Sequence, residues 1–281
     1  MTELSTYLEF ARDAAAVGAR IALGHYGRDP KRERKSDGTW VTEADWAVEA
    51  QIRLRIARTW PDHNVLGEEE GLTSAGGGPP VTGAPTWIID PIDGTHNYMA
   101  GIPMWATLVG LRIDETNVVG VAHAPAIDET YYAALEAGAF FHDRRIQVEP
   151  VGDLADATVL YAGAGALFHV GLEGFYKELV NRAWRSRGFG DFWGHMLVAR
   201  GAAHVMVEPE VAIWDIAALE PIVTEAGGRL THLDGAAWGG TGTCLTTCGS
   251  LHDQVVDLVS EESPEWSESA TGIPPGVRPT L

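Results

Sequence analysis

The segment Trp87-Ile88-Ile89-Asp90-Pro91-Ile92-Asp93-Gly94-Thr95 decides how this chain is read. A short apolar run ends at an acid, a proline stiffens the turn, and a second acid stands three positions after the first. The pattern predicts a strand that stops at Asp90-Pro91. Gly94 permits a tight backbone path, and Thr95 stands where a helix can begin. Two carboxylates at a strand end, beside free helix N–H groups, suit Mg²⁺ and a phosphate together. Taken alone, the segment favours a simpler account, an Asx turn with capping acids.

Two further acidic segments shift that balance. Gly67-Glu68-Glu69-Glu70-Gly71 follows the apolar pair Val65-Leu66, so a second strand ends in carboxylates. Trp214-Asp215 opens an apolar, helix-like stretch. The first alone reads as a solvated loop and the second as a cap favoured by the helix dipole. Together they supply separate carboxylates at the ends of apolar segments, which a phosphatase using several Mg²⁺ ions requires.

Outward from this segment, helical spacing predicts helices over residues 5–26 and from Thr42 to Pro61. A turn is expected at Ser36-Asp37-Gly38 and a surface loop over 74–85. Short strands over 107–113, 118–122 and 130–134 form a meander. Residues 150–156 are the best boundary. Beyond them come a strand over 158–162, a helix over 171–183, an extended run over 184–189 and a helix over 193–203. A strand over 205–207 follows, then a helix over 214–226 that stops at Gly227-Gly228. The expected fold class is α/β, a layered α+β sandwich. A lobe over 1–150 carries most of the acids, and an α/β lobe covers 151–260. The tail over 261–281, rich in Ser, Glu, Pro and Gly, is expected to be mobile and to carry no chemistry.

Composition narrows the function. The 281 residues are 45% apolar and 21% charged, enough for a sizeable core and too few charges for global disorder. A formal net charge of −19 counts against sequence-independent nucleic-acid binding and against an anionic membrane surface. No apolar run approaches a membrane span. The first residues lack the pattern of a signal peptide. The two cysteines, Cys244 and Cys248, are too few for a zinc site and read as reduced thiols. A cytoplasmic protein without nucleic-acid or membrane partners is therefore expected.

Gly67-Glu68-Glu69, Asp90-Pro91-Ile92-Asp93-Gly94-Thr95, and Trp214-Asp215-Ile216-Ala217-Ala218 through Glu225-Ala226-Gly227-Gly228 together resemble the three signatures of the inositol monophosphatase superfamily, in order and separation. The likeness covers roughly residues 4–259. It implies an antiparallel-sheet N-terminal lobe, a mixed-sheet C-terminal lobe, a metal site between them, and a homodimer. Carried over, it makes Glu68, Asp90, Asp93, Asp215 and the Ile92 carbonyl ligands for two or three Mg²⁺ ions. Val41-Thr42-Glu43-Ala44-Asp45 resembles the family's T-x-x-D motif, so Asp45 would work with Thr95, or Glu68 in its place, to orient an attacking water. Asp93 would also contact the substrate, and the Gly94 and Thr95 N–H groups would hold phosphate oxygens. Lys35 stands near the family's basic residue, with Arg34 as a rival, and Glu69 would act in the outer shell. The implied reaction is hydrolysis of a phosphate monoester, a small molecule, by a Mg²⁺-activated water and without a covalent intermediate.

The branch is read from Gly190-Asp191-Phe192-Trp193 and from Glu208-Pro209-Glu210-Val211-Ala212-Ile213-Trp214-Asp215. Both resemble the histidinol-phosphate phosphatases of the same superfamily, which serve histidine biosynthesis. Asp191 and Glu208 would then contact the amine or imidazole of the substrate. Asp191 also reads as a helix N-cap, and Glu208 also suits sugar hydroxyls. Trp193 and His195 read as core at least as well as pocket, and Arg187 as structural. The alternatives are an inositol-1-monophosphatase or broad sugar-phosphate phosphatase, a nucleotide bisphosphate phosphatase, and a non-catalytic regulatory homologue.

Overall fold

The computed structural model describes residues 3–28, 30–35 and 38–267. Ser36 and Asp37 of the expected turn, and residues 268–281 of the expected tail, lie outside the described residues. The chain divides into two compact units. Among the described residues, unit 1 comprises those up to Arg145 together with Ile213–Ile222, and unit 2 comprises Ile146–Ala212 and residues 223–267.

Unit 1 opens with α1 (Glu3–His25), β1 (Arg32–Arg34), β2 (Trp40–Thr42) and α2 (Glu43–Thr59). The short strand β1 pairs antiparallel with β2. A hairpin of β3 (Asn64–Gly67) and β4 (Gly71–Ser74) follows, then β5 (Thr86–Asp93) and the short α3 (Thr95–Met99). A meander closes this stretch: β6 (Ala106–Ile113), β7 (Thr116–Ala124), β8 (Glu129–Ala134), β9 (Gly138–Phe141) and β10 (Arg144–Ile146). The sheet runs β10-β9-β8-β7-β6-β5-β3-β4, and within it β3 and β5 are parallel. Its core is a layer of helix against sheet. Tyr7, Ala11 and Ala15 of α1 and Val48 and Ile52 of α2 bury with Trp87, Ile89, Val109 and Val119 of the strands. These strand residues alternate, as one sheet face requires. The intervening positions, among them Asp90, Gly110 and Gly120, belong to the other face.

Unit 2 carries β11 (Thr158–Tyr161), α4 (Ala164–His169), α5 (Glu173–Arg182), β12 (Arg185–Arg187), α6 (Asp191–Ala199) and β13 (Val205–Val211). The chain returns to unit 1 for α7 (Ile213–Ile216), and α8 (Leu219–Glu225) leads back. Then come β14 (Arg229–Thr231), β15 (Gly242–Thr247) and α9 (His252–Glu262). The sheet order is β12-β11-β13-β15-β14, parallel on both sides of β11 and antiparallel elsewhere. The α/β class and the contrast between antiparallel and mixed sheets agree with expectation.

Four details differ from the sequence reading. Strand β5 does not stop at Asp90-Pro91; it continues to Asp93 through a register shift against β6. A bulge absorbs the proline, whose missing N–H would otherwise leave a gap in the ladder. The single helix expected over 214–226 is two, α7 and α8, broken at Ala217-Ala218. Asp191 is not an N-cap: Gly190 caps α6, and Asp191 takes a left-handed φ of 55° as its first residue. Finally, α9 runs to Glu262 and Trp266 packs on the unit 2 core, so the expected tail begins as ordered structure.

Candidate active site

The bulge in β5 sets the first two carboxylates. Asp90 pairs with Leu108 and Asp93 with Ala106, so β5 uses one residue more than β6. Asp90 Oδ1 accepts the Ile92 N–H at 3.0 Å, and the Pro91 carbonyl accepts the Thr107 hydroxyl at 2.9 Å. Gly94 then turns the chain in a left-handed conformation, φ 80°. Thr95 Oγ1 donates to the Ile92 carbonyl at 3.0 Å.

Asp215 reaches these residues because the α7–α8 elbow lies against two glycines. Gly110 and Gly120 are paired across β6 and β7. A Cβ on Gly120 would stand 1.9 Å from the Ala218 carbonyl oxygen, and one on Gly110 3.1 Å from that of Ala217. A side chain at either position would push the elbow off the strands. A hydrogen-bond chain fixes it further: Arg112 Nε donates to Asn117 Oδ1 at 3.0 Å, and Asn117 Nδ2 to Glu220 Oε2 at 2.6 Å.

The result is a convergence of three buried aspartates. One carboxylate oxygen from each of Asp90, Asp93 and Asp215 lies within 4.8 Å of the others. Burial raises the Asp90 carboxyl well above its ordinary range, and the charges of Glu68, Asp93, Asp215 and Asp45 push it further. Buried, hard, mutually repelling oxygens fit a divalent cation such as Mg²⁺, whose charge would reverse that repulsion.

The other expected residues of unit 1 stand in different settings. Glu68 stands on the β3–β4 turn, outside the three-aspartate group, with its Oε1 3.1 Å from Lys35 Nζ. Glu69 is 2.7 Å from the same nitrogen. Burial raises the Glu69 carboxyl, and Glu68 adds to this, bringing it to about 8 despite Lys35. Burial opposes the Lys35 ammonium, but Glu68 and Glu69 outweigh it and raise its pKa. Arg34, the rival, is exposed and donates to the Gly38 carbonyl.

Asp45 has two jobs, one of them not foreseen. With Thr42 it forms a capping box on α2, Oδ2 accepting the Thr42 N–H at 2.8 Å and hydroxyl at 2.5 Å. Its Oδ1 is buried with no hydrogen-bond partner among the described residues. Burial lifts its pKa to about 6. A buried acceptor left open in this way suits a proton of a water or substrate.

Unit 2 holds the other expected residues. Glu208, buried on β13, accepts the Asp191 N–H on Oε1 at 2.8 Å. This bond supports the left-handed turn at Asp191, a strained conformation of the kind found at functional sites. His195 is core: its Nδ1 meets Thr246 Oγ1 at 2.8 Å, and burial lowers its pKa to about 3. Trp193 packs on Phe189. Arg187 lies on the edge strand β12 and donates to the Ser186 carbonyl. Glu49 and Arg53, beneath the Glu68 turn, were not singled out by sequence. Their i,i+4 spacing on α2 reads as an ordinary surface ion pair.

The family model described as the inositol monophosphatase family matches residues 3–263. A histidinol-phosphatase of Mycobacterium tuberculosis is 41% identical over 249 residues, 87% of this chain and 93% of that protein. One from Streptomyces coelicolor is 40% identical over 268 residues, 92% of this chain and 96% of that protein. Among solved structures, an IMPase of Thermotoga maritima superposes with a TM-score of 0.80 at 30% identity, covering 92% of this chain and 99% of its own. The chain belongs to the inositol monophosphatase family and is a phosphatase.

Proposed function

We propose that the chain is a Mg²⁺-dependent histidinol-phosphate phosphatase of histidine biosynthesis. The observation that carries the metal-dependent chemistry is the convergence of Asp90, Asp93 and Asp215. The substrate rests on the likeness to the two bacterial histidinol-phosphatases and on the pairing of Asp191 with Glu208. In this reading Glu68, Asp90, Asp93, Asp215 and the Ile92 carbonyl hold two or three Mg²⁺ ions. When bound, Mg²⁺ supplies Lewis acidity that acidifies water and offsets charge on the phosphate and the leaving oxygen.

The chain's own groups do the positioning. The open Oδ1 of Asp45 accepts a proton of the attacking water, and the Thr95 hydroxyl orients it in line with the ester bond. The new P–O bond forms as the P–O bond to the substrate alcohol breaks; the leaving oxygen takes a proton from solvent, Asp45 returns its own to solvent, and the products are the alcohol and inorganic phosphate. Backbone N–H groups of Gly94 and Thr95 hold phosphate oxygens. Lys35 holds Glu68 and Glu69 in place beside the phosphate. Asp191 and Glu208 receive the substrate's amine or imidazole.

The reading extends to a cytoplasmic homodimer. Cys244 and Cys248, both buried thiols outside any disulfide, support a reducing compartment. No described helix is long and apolar enough to cross a membrane. Light scattering in solution should give twice the 30.2 kDa chain mass.

The deciding experiment is phosphate release from histidinol phosphate, inositol-1-phosphate, fructose-1,6-bisphosphate and a nucleotide bisphosphate, with Mg²⁺ or with a chelator. The highest kcat/KM should be on histidinol phosphate, and only with Mg²⁺. Preference for inositol-1-phosphate would transfer the proposal to the inositol phosphatases. Failure on every ester would leave a non-catalytic homologue.

A further inference from the structure

The turn that carries Glu68 is held from below. Gly67 ends β3, and a Cβ there would stand 2.1 Å from Oε1 of Glu49. The absent side chain lets the Glu49 carboxylate rise from α2 directly under the turn. There it accepts the Glu69 N–H at 2.8 Å and the Glu70 N–H at 3.0 Å. Arg53, one helical turn on, donates from Nε to Glu49 at 2.8 Å. The rest of its guanidinium reaches the far side of the hairpin: the Gly71 carbonyl, and Thr73 Oγ1 at 3.1 Å. From the sheet side, the Glu68 N–H donates to the Ile89 carbonyl at 3.3 Å.

An unsupported acidic turn of this length samples many backbone states, and its carboxylate would be ordered only when a ligand is bound. Here the peptide planes on both sides of Glu69 are fixed by one buried charge pair. We infer that Glu49 and Arg53 are positioning residues that pre-set the Glu68 carboxylate for a divalent cation. The inference rests on the proposed ligand role of Glu68. Neither Glu49 nor Arg53 touches the cation or the substrate; they act only through the backbone of the turn.

The test is Mn²⁺ affinity by calorimetry on folded protein, with the fold verified by circular dichroism. Glu49→Gln keeps the size but loses the charge that accepts three donors. Its tightest Mn²⁺ site should weaken about tenfold to a hundredfold, the range usual when the partners that orient a ligand are changed. Glu68→Gln is the reference. In the Glu68→Gln background the further effect of Glu49→Gln should vanish, because Glu49 acts through Glu68. An additive effect there would mean general structural damage and would overturn the inference. So would wild-type affinity in Glu49→Gln beside a weakened Glu68→Gln. Wild-type affinity in Glu68→Gln itself removes the ligand reading, and the inference with it. Should Glu49→Gln not fold, Arg53→Lys decides. It keeps the charge pair and loses the fork to Gly71 and Thr73, and a weaker Mn²⁺ site supports the inference while wild-type affinity overturns it.

Discussion

Glu49 and Asp90 are both buried carboxylates of unit 1, 0% and 2% exposed, and they are built on opposite plans. Glu49 meets a guanidinium and two backbone N–H groups. Asp90 accepts one backbone N–H, from Ile92, and otherwise meets burial and the charges of four other acids. A buried charge is tolerated when it is fully satisfied from within, or when a counter-charge arrives from outside. Glu49 takes the first route and is architecture. In the proposed reading Asp90 is of the second kind, a carboxylate that a bound cation would stabilise.

The largest effect should come from the second kind. Asp90→Asn or Asp93→Asn should lower Mg²⁺-dependent kcat by roughly a thousandfold or more, since each removes a charged ligand. In a chelator Asp90→Asn should stabilise the fold, because its buried carboxylate no longer faces like charges. Thermal unfolding in EDTA checks the sign, and a lower midpoint would break the contrast with Glu49. Next in size, Glu49→Gln should destabilise by roughly 3 kcal/mol in urea unfolding, with or without metal, as a broken buried pair does.

Asp191 offers a third, half-buried carboxylate, on a residue whose backbone N–H is held by Glu208. Asp191→Asn should cost histidinol phosphate about tenfold to a hundredfold in kcat/KM, the worth of a charge-assisted hydrogen bond. Inositol-1-phosphate has no cationic group and should change little. An equal drop on both substrates would place Asp191 with Glu49, as architecture.

The smallest effect concerns a buried group with no charge to satisfy. His195 stays neutral in the fold, its pKa lowered to about 3 by burial, while in the unfolded chain it protonates near 6.5. Between those values the unfolded state binds the extra proton, so stability rises with pH. The contribution is complete above about 6.5 and is lost as pH falls toward 3, by about 1 kcal/mol per pH unit. Urea midpoints between pH 6.5 and 4.5 should fall less steeply in His195→Gln than in the native chain.

The acids themselves were legible in the sequence, because each stands at the edge of an apolar run. The runs also announced the antiparallel meander, while the mixed sheet was implied by the family resemblance. Other features left no local trace. Pro91 looks like a strand stop, yet β5 carries it in a bulge, since Thr107 takes over the bonding at that point. Nothing near residue 217 says that the helix must break there; the cause lies in Gly110 and Gly120, on β6 and β7 far back in the chain. The T-x-x-D of Thr42 and Asp45 was read for chemistry alone and is also a helix cap. Glu49 and Arg53 are helix-surface residues by spacing, and only the hairpin folding over them turns the pair into a support.

The hydrogen bond from Asn117 to Glu220 joins residues 103 positions apart. During synthesis the strands of unit 1 therefore emerge long before the elbow that covers Gly110 and Gly120. Closing so long a loop is slow, and strand surface left uncovered meanwhile is open to misassociation. The aspartate convergence is then among the last features of unit 1 to form. A nascent chain cut short before residue 213 would hold Asp90 and Asp93 without Asp215, and so would carry no completed three-aspartate group in the ribosome-bound cell interior, where free divalent ions abound.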